Sequence, residues 1–168
     1  MTLFVGPVFF LAFQKLEIFF FSESPEVKER SFGVMENKLV SEFQALAEEA
    51  KCKNWINYVP EGAESREKVR NRARKFLTEI LTQDANLEMV KPQILVVSHG
   101  GLLRELFAVI FEEFKCEMPS QCQPGDYKIL AKNTSWSRFD LEVSAGDLKI
   151  QSLLCTELNN AKHLEDIE

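Results

Sequence analysis

Histidine is almost absent from this chain: its 168 residues contain two, His99 and His163. That scarcity excludes a histidine-rich metal site. Cysteine is sparse as well. Cys52, Cys116, Cys122 and Cys155 form no C-x-x-C pair, and no histidine lies at ligand spacing from any of them. A zinc centre and a disulfide framework are therefore not expected, and free thiols in a reducing cytosol are. None of the four has a base near it in sequence, so none reads as a catalytic nucleophile. Positive charge is in deficit. Lys and Arg total 20 against 26 Asp and Glu, a net charge of −6 at pH 7. That balance argues against nucleic acid or an anionic membrane as the main partner, while leaving room for an anionic small ligand in a locally basic pocket. Long apolar runs are missing too. "LFVGPVFFLAF", Leu3 to Phe13, has eleven residues, too few to cross a bilayer as a helix. No positive charge precedes it and no small-residue cleavage site follows it, so a signal peptide is not expected either. Residues 1–15 read as an atypical leader of unknown role, within which Leu3 to Phe13 is apolar and of about strand length. Pro7 counts against a place for it inside a sheet.

What remains is ordinary globular material. Hydrophobic residues make up 45% and charged residues 27% of the chain, and the length suits one domain with a real core. Apolar spacing predicts a helix over Glu36 to Lys51, with Leu39, Phe43, Leu46, Ala47 and Ala50 on one face. A second helix is predicted from Ser65, a candidate N-cap, with Val69, Ala73, Phe76, Leu77, Ile80 and Leu81 as its stripe. Arg66, Lys68, Arg70, Arg72, Arg74 and Lys75 cover its remainder and read as a solvated face. Gln93 to Val97 is a continuous apolar strand, which suggests cover on both faces, as in a parallel sheet. Leu102 to Phe114 reads as a well-buried helix. Phe139, Leu141 and Val143 alternate with polar residues, as do Leu148, Ile150 and Ser152, and "SAGD" between them predicts a hairpin. The order of these elements indicates an α/β layered domain.

One stretch carries chemistry. "ILVVSHGG" drives a strand into Ser98-His99-Gly100-Gly101 and then a helix. Ligands of open α/β sheets collect outside the carboxyl ends of strands. Two glycines let a ligand approach the backbone, and the helix start offers unpaired N–H groups and a positive dipole end. An anion, phosphate above all, suits such a place. A structural histidine in a tight turn is the equal alternative. A second candidate is Glu29 in "KERSFG", a loop acid bounded by an aromatic and a glycine, able to serve as a general acid if held in a pocket. A third is Glu64 in "PEGAES", better placed for capping the following helix.

These fragments, E-R-x-[aromatic]-G, then P-x-G-x-E-S, then V-V-S-H-G, occur in an order that resembles the histidine phosphatase superfamily, the phosphoglycerate mutase-like proteins. "KERSFGVMENKLVSEFQALA", "ILVVSHGGLLRELF", "NTS" at Asn133 to Ser135 and the tail "LNNAKHL" are most similar to its fructose-2,6-bisphosphatase members. The resemblance implies a three-layer α/β sandwich with a mostly parallel sheet. It also implies an incomplete domain over residues 16–160, missing the first strand and helix, with an acidic tail at 161–168. "IFFF", Ile18 to Phe21, would be the strand entering the Glu29 loop. It implies a cytosolic phosphomonoesterase that acts on a small sugar phosphate such as a sugar bisphosphate, restrains glycolysis and needs no metal or other cofactor. His99 would contact the phosphoryl oxygens, the Gly100 N–H would help hold them, and Glu29 would donate the proton to the leaving group. Arg30 and Asn133 would add substrate contacts. The family's nucleophile lies in an R-H-G motif that this chain does not contain. The resemblance therefore implies an inactive or impaired enzyme, or a non-catalytic module that binds a phosphate ligand or a protein. Asn37 stands where the family commonly has glycine.

Overall fold

The computed structural model describes residues 2–7, 22–83, 93–143 and 150–165, without the side chains of 2–7, 81–83 and 143. The second half of the leader, the expected Ile18 to Phe21 strand, the Ser144 to Asp147 turn and the last three residues lie outside the described residues. The chain divides into two compact units, one of Met1–Glu29 and Arg70–Glu168, the other of Arg30–Val69.

The first unit is built on a sheet of four strands. β1 (Thr2–Pro7), β2 (Gln93–Ser98), β3 (Trp136–Val143) and β4 (Ile150–Asn160) lie in the order β2-β1-β3-β4. The start of the leader is thus an inner strand. It pairs in parallel with β2, Thr2 opposite Gln93 and Pro7 opposite Ser98. Its pairing with β3 is antiparallel and runs only from Thr2 to Val5. Pro7 sits past the last β3 pair, where its missing N–H interrupts nothing on that side.

The mostly parallel sheet expected from sequence is corrected: among the described strands one pairing is parallel and two are antiparallel. The reason is the hairpin. Consecutive strands joined by a short connection must run antiparallel, and β3 and β4 do so. β4 continues through Cys155 to Asn160, well beyond the strand expected to end near Ser152. β3 buries Ser137, Phe139 and Leu141 on one face, the period of two that its sequence shows.

β2 also departs from expectation. Val96 and Ser98 are buried, but Leu95 and Val97 remain 40% and 42% exposed. The apolar run is covered on one face, so its lack of alternation overstates its burial. Helices α2 (Arg66–Gln83) and α3 (Gly100–Ala108) supply that cover. Ala73, Phe76 and Leu77 join Leu103, Leu106 and Phe107 in one cluster with Val96, Phe139 and Cys155. A π-helical turn, Val109–Glu113, extends α3 and buries Val109, Ile110 and Phe111. Side-chain burial of this kind contributes roughly 1.5–3 kcal/mol for each large apolar group.

The second unit centres on Phe43, which takes edge-on contacts from Phe32, Trp55 and Tyr58 at 5.8–5.9 Å between ring centroids. Its helix α1 spans Val40–Glu49, four residues later than expected at its start. Glu36 explains the delay. Its carboxylate accepts from the Phe32 N–H at 2.6 Å and from the Ser31 hydroxyl, closing a turn of its own. Asn37 then takes a left-handed φ of 62°, which ends any continuous helix. Asparagine, which enters this region more readily than most residues with a side chain, serves the turn. Ser65 caps the second predicted helix, its Oγ accepting from the Lys68 N–H at 3.3 Å.

Candidate active site

β2 ends by sending neighbouring side chains to opposite sides. Ser98 turns inward, almost fully buried, and its hydroxyl donates to the Val27 carbonyl at 2.6 Å. His99 turns outward and is exposed. It stays extended, with φ −125° and ψ 156°, and forms the N-cap of α3. Its carbonyl accepts the Leu103 N–H at 2.8 Å, so the backbone at His99 is fixed by the first turn of the helix. Gly100 and Gly101 follow as the first helical residues.

The loop that carries Glu29 is held from three directions. Ser24 Oγ accepts from the Glu26 N–H and starts a short 3-10 turn, Pro25–Val27. Arg72 on α2 donates from Nη1 to the carbonyls of Glu26 at 2.6 Å and Lys28 at 2.8 Å. With Ser98 on Val27, three successive carbonyls before Glu29 each accept a side-chain donor. Lys75 adds an ion pair to Glu26. Glu29, half-buried, then reaches the start of α3, where its Oε2 accepts the Gly101 N–H at 3.2 Å. A carboxyl group and an exposed imidazole thus sit at one helix N-terminus, where N–H groups and the dipole favour anionic oxygen.

The basic run on α2 is both a solvated face and a set of tethers. Lys68 and Lys75 are exposed, as expected, while Arg70, Arg72, Arg74 and Lys75 each also hold a partner. Arg70 pairs with buried Glu105 and with Glu112, and Arg74 pairs with Glu113. For Glu112, burial works to raise the carboxyl pKa, but hydrogen bonds from Lys128 and Tyr127 and the nearby Arg70 outweigh it and hold it below the ordinary value. Arg74 holds Glu113 low in the same way, against a smaller effect of burial. Hydrogen bonding to Glu112 in turn raises Lys128.

The other sequence candidates divide. Gly100 lies against Leu130: a Cβ there would come within 2.9 Å of Leu130 Cδ1. Arg30, in the second unit, is buried, donates to the Tyr58 carbonyl at 3.1 Å and stacks 4.8 Å from the Phe32 ring centroid. Glu64, also there, donates its backbone N–H to the Ser31 carbonyl at 2.9 Å. Capping of the following helix falls to its neighbour Ser65. Asn133 is exposed in the turn before β3. His163 is exposed in a 3-10 turn beyond β4, with Nε2 3.1 Å from Thr134 Oγ1. Sequence reasoning missed Arg72, Ser98 as a tether, and Leu130. Ser98 was inside the motif; the other two carry no local signal. Among the described residues no group of His, Cys, Asp and Glu could hold a metal ion, and no helix is long and apolar enough to cross a membrane.

A sequence profile of the histidine phosphatase superfamily (branch 1) matches residues 17–151. The chain is 25% identical over 171 residues to the probable fructose-2,6-bisphosphatase TIGAR A of Danio rerio. It is 25% identical over 181 residues to the fructose-2,6-bisphosphatase TIGAR of Mus musculus. Both alignments cover 84% of this chain and 66% of the relative, so the chain spans just under two thirds of their length. Among solved structures, mycobacterial glucosyl-3-phosphoglycerate phosphatase superposes with a TM-score of 0.60 at 19% identity, covering 82% of this chain and 64% of that one. The same phosphatase in complex with inorganic phosphate superposes with a TM-score of 0.58 at 20% identity and the same coverage.

Proposed function

The chain belongs to the histidine phosphatase superfamily (branch 1), and from that premise we propose that it recognises the phosphoryl group of a small sugar phosphate, in the manner of a fructose-2,6-bisphosphatase. In this reading His99 contacts the phosphoryl oxygens and the Gly100 N–H holds the same group. Glu29 is the proton donor to the leaving alkoxide, and Asn133 contributes a substrate contact. The three-layer sandwich, a cytosolic location and a role in restraining glycolysis go with the same reading. The observation that carries it is the hydrogen bond from Gly101 to Glu29, which brings the acid of one motif to the helix start of the other.

The family reaction needs one group more. A nucleophilic histidine takes the phosphoryl group from the ester oxygen while the acid protonates that oxygen. Water then attacks phosphorus, the acid now accepts a proton, and phosphate leaves. His99 fills the second histidine's place, and His163 is engaged with Thr134. No R-H-G occurs in this sequence. We therefore assign this chain phosphate-ester binding without turnover, since loss of a covalent nucleophile costs several orders of magnitude in rate.

Calorimetric titration with inorganic phosphate and with fructose-2,6-bisphosphate tests the binding. Heat with both ligands, weakened by His99→Ala, is expected; no heat from either removes the reading. A radiolabelled phosphoenzyme trap tests the absence of turnover. Label that persists in His99→Ala would reveal another nucleophile and overturn the inactive assignment.

A further inference from the structure

The wall beside the anion cradle is apolar and fixed. Leu130 Cδ1 lies where a side chain at position 100 would begin, 2.9 Å from an ideal Cβ, so glycine at 100 makes room for leucine. Leu130 nevertheless stays 43% exposed, and its neighbour Ile129 is 62% exposed. Two adjacent aliphatic side chains thus stand open to solvent next to a group of N–H donors.

The segment that presents them is anchored. Asp126–Lys128 forms a 3-10 turn whose entry is closed by the Gln123 N–H on Asp126 Oδ2 at 2.7 Å. The Ile129 N–H returns to the Asp126 carbonyl at 3.1 Å. Tyr127 donates its hydroxyl to Glu112 at 3.0 Å and packs its ring 5.0 Å from Phe111. Lys128 pairs with the same carboxylate at 3.1 Å. Glu112 belongs to the helical segment that begins at Gly100, so wall and cradle share one rigid support. An apolar surface prefers to be covered by apolar surface, and a phosphoryl group held by the Gly100 N–H, the position whose Cβ would meet Leu130, would set its ester substituent within reach of that wall.

We infer that Leu130 is a specificity-determining residue that packs against the ester substituent of the ligand, selecting phosphate monoesters with aryl, alkyl or other C–H-rich surface next to the phosphate over phosphate itself. This rests on the phosphate-binding reading of the site. The packing needs no charge and no proton transfer; it acts only on the part of the ligand that inorganic phosphate lacks.

Titration of the full chain with phenyl phosphate and with inorganic phosphate reads the effect as a ratio of affinities. The wild-type protein is expected to prefer phenyl phosphate, and Leu130→Ala to lower that preference by about five- to tenfold, the value of losing part of one leucine's contact area. Leu130→Met, which keeps apolar volume, is expected to retain most of it. An unchanged ratio in Leu130→Ala, or equal affinities in the wild type, overturns the inference while leaving the phosphate site intact. Failure of the wild type to bind either compound refutes the phosphate-binding reading and this inference with it.

Discussion

Gly101 donates its backbone N–H to Glu29 Oε2 at 3.2 Å, across 72 residues of sequence. The bond fills one of the donors that the start of α3 leaves open with a carboxylate from a different loop. Glu29 is thereby both a tether for its own loop and a competitor for any anion that approaches the same helix end.

Removing that competition should strengthen anion binding. Glu29→Gln keeps the hydrogen-bond acceptor and removes the charge, so inorganic phosphate should bind roughly three- to tenfold more tightly at pH 7.5 and low salt. Calorimetry at two ionic strengths checks this, with the gain shrinking at high salt. Weaker phosphate binding by Glu29→Gln would mean that the carboxylate does not compete with the ligand.

Arg72 holds two carbonyls of the Glu29 loop from α2. Arg72→Met keeps the stem and removes both donors. The expected cost is about 1–3 kcal/mol in urea unfolding, because carbonyls lose a charged partner. Proteolysis of native protein should also speed up near residues 24–29. A cost below about 0.5 kcal/mol, the scale of an ordinary surface change, would show that water replaces the guanidinium freely.

Gly33 is the second unit's most constrained glycine. Its φ is +58°, and a Cβ there would lie 2.1 Å from the Glu61 carbonyl oxygen and 2.4 Å from the Ala63 nitrogen. These are backbone atoms that cannot rotate away. Gly33→Ala should cost about 2–5 kcal/mol from strain and overpacking together. Trp55 fluorescence in a Trp136→Phe background reports the second unit directly. A native Trp55 signal with an unshifted urea midpoint would contradict the contact.

Two buried thiols should set the alkaline limit of stability. Burial raises Cys116 from an ordinary 9.0 to about 12 and pushes Cys155 up as well. The unfolded chain releases these protons above pH 9 while the folded chain keeps them, so rising pH favours unfolding. Each thiol should remove up to about 1.4 kcal/mol per pH unit above that value. Urea midpoints measured from pH 7 to 10.5 should fall from pH 9 upward, and the Cys116→Ala/Cys155→Ala double variant should flatten the fall. An equal fall in both proteins would assign the limit to other groups.

β1 makes a prediction about the leader. Leu3, Phe4 and Val5 lie between β2 and β3 and have partners on both. Their amides should exchange at least about 100-fold more slowly than free peptide amides. Exchange at the free-peptide rate would remove β1 from the sheet and leave β2 and β3 without the strand between them.

The sequence by itself determined the elements whose signal is local. The Ser98-His99-Gly100-Gly101 turn, the Ser65 cap, the buried helix from Leu102 and the β3 alternation all follow from neighbours a few residues apart, where periodicity and capping chemistry act. Motif order was enough to point to the family. Tertiary structure alone decided what depends on distant partners. Leader residues entered the sheet because pairing with β2 and β3 satisfies backbone groups that no composition rule can count. The α2 cations became tethers because acids at 26, 105, 112 and 113 fold beside them, and a helical wheel shows only one side of such a pair. Leu130 met Gly100 through a turn fixed by Glu112, a contact set by packing geometry and invisible to any spacing in the chain.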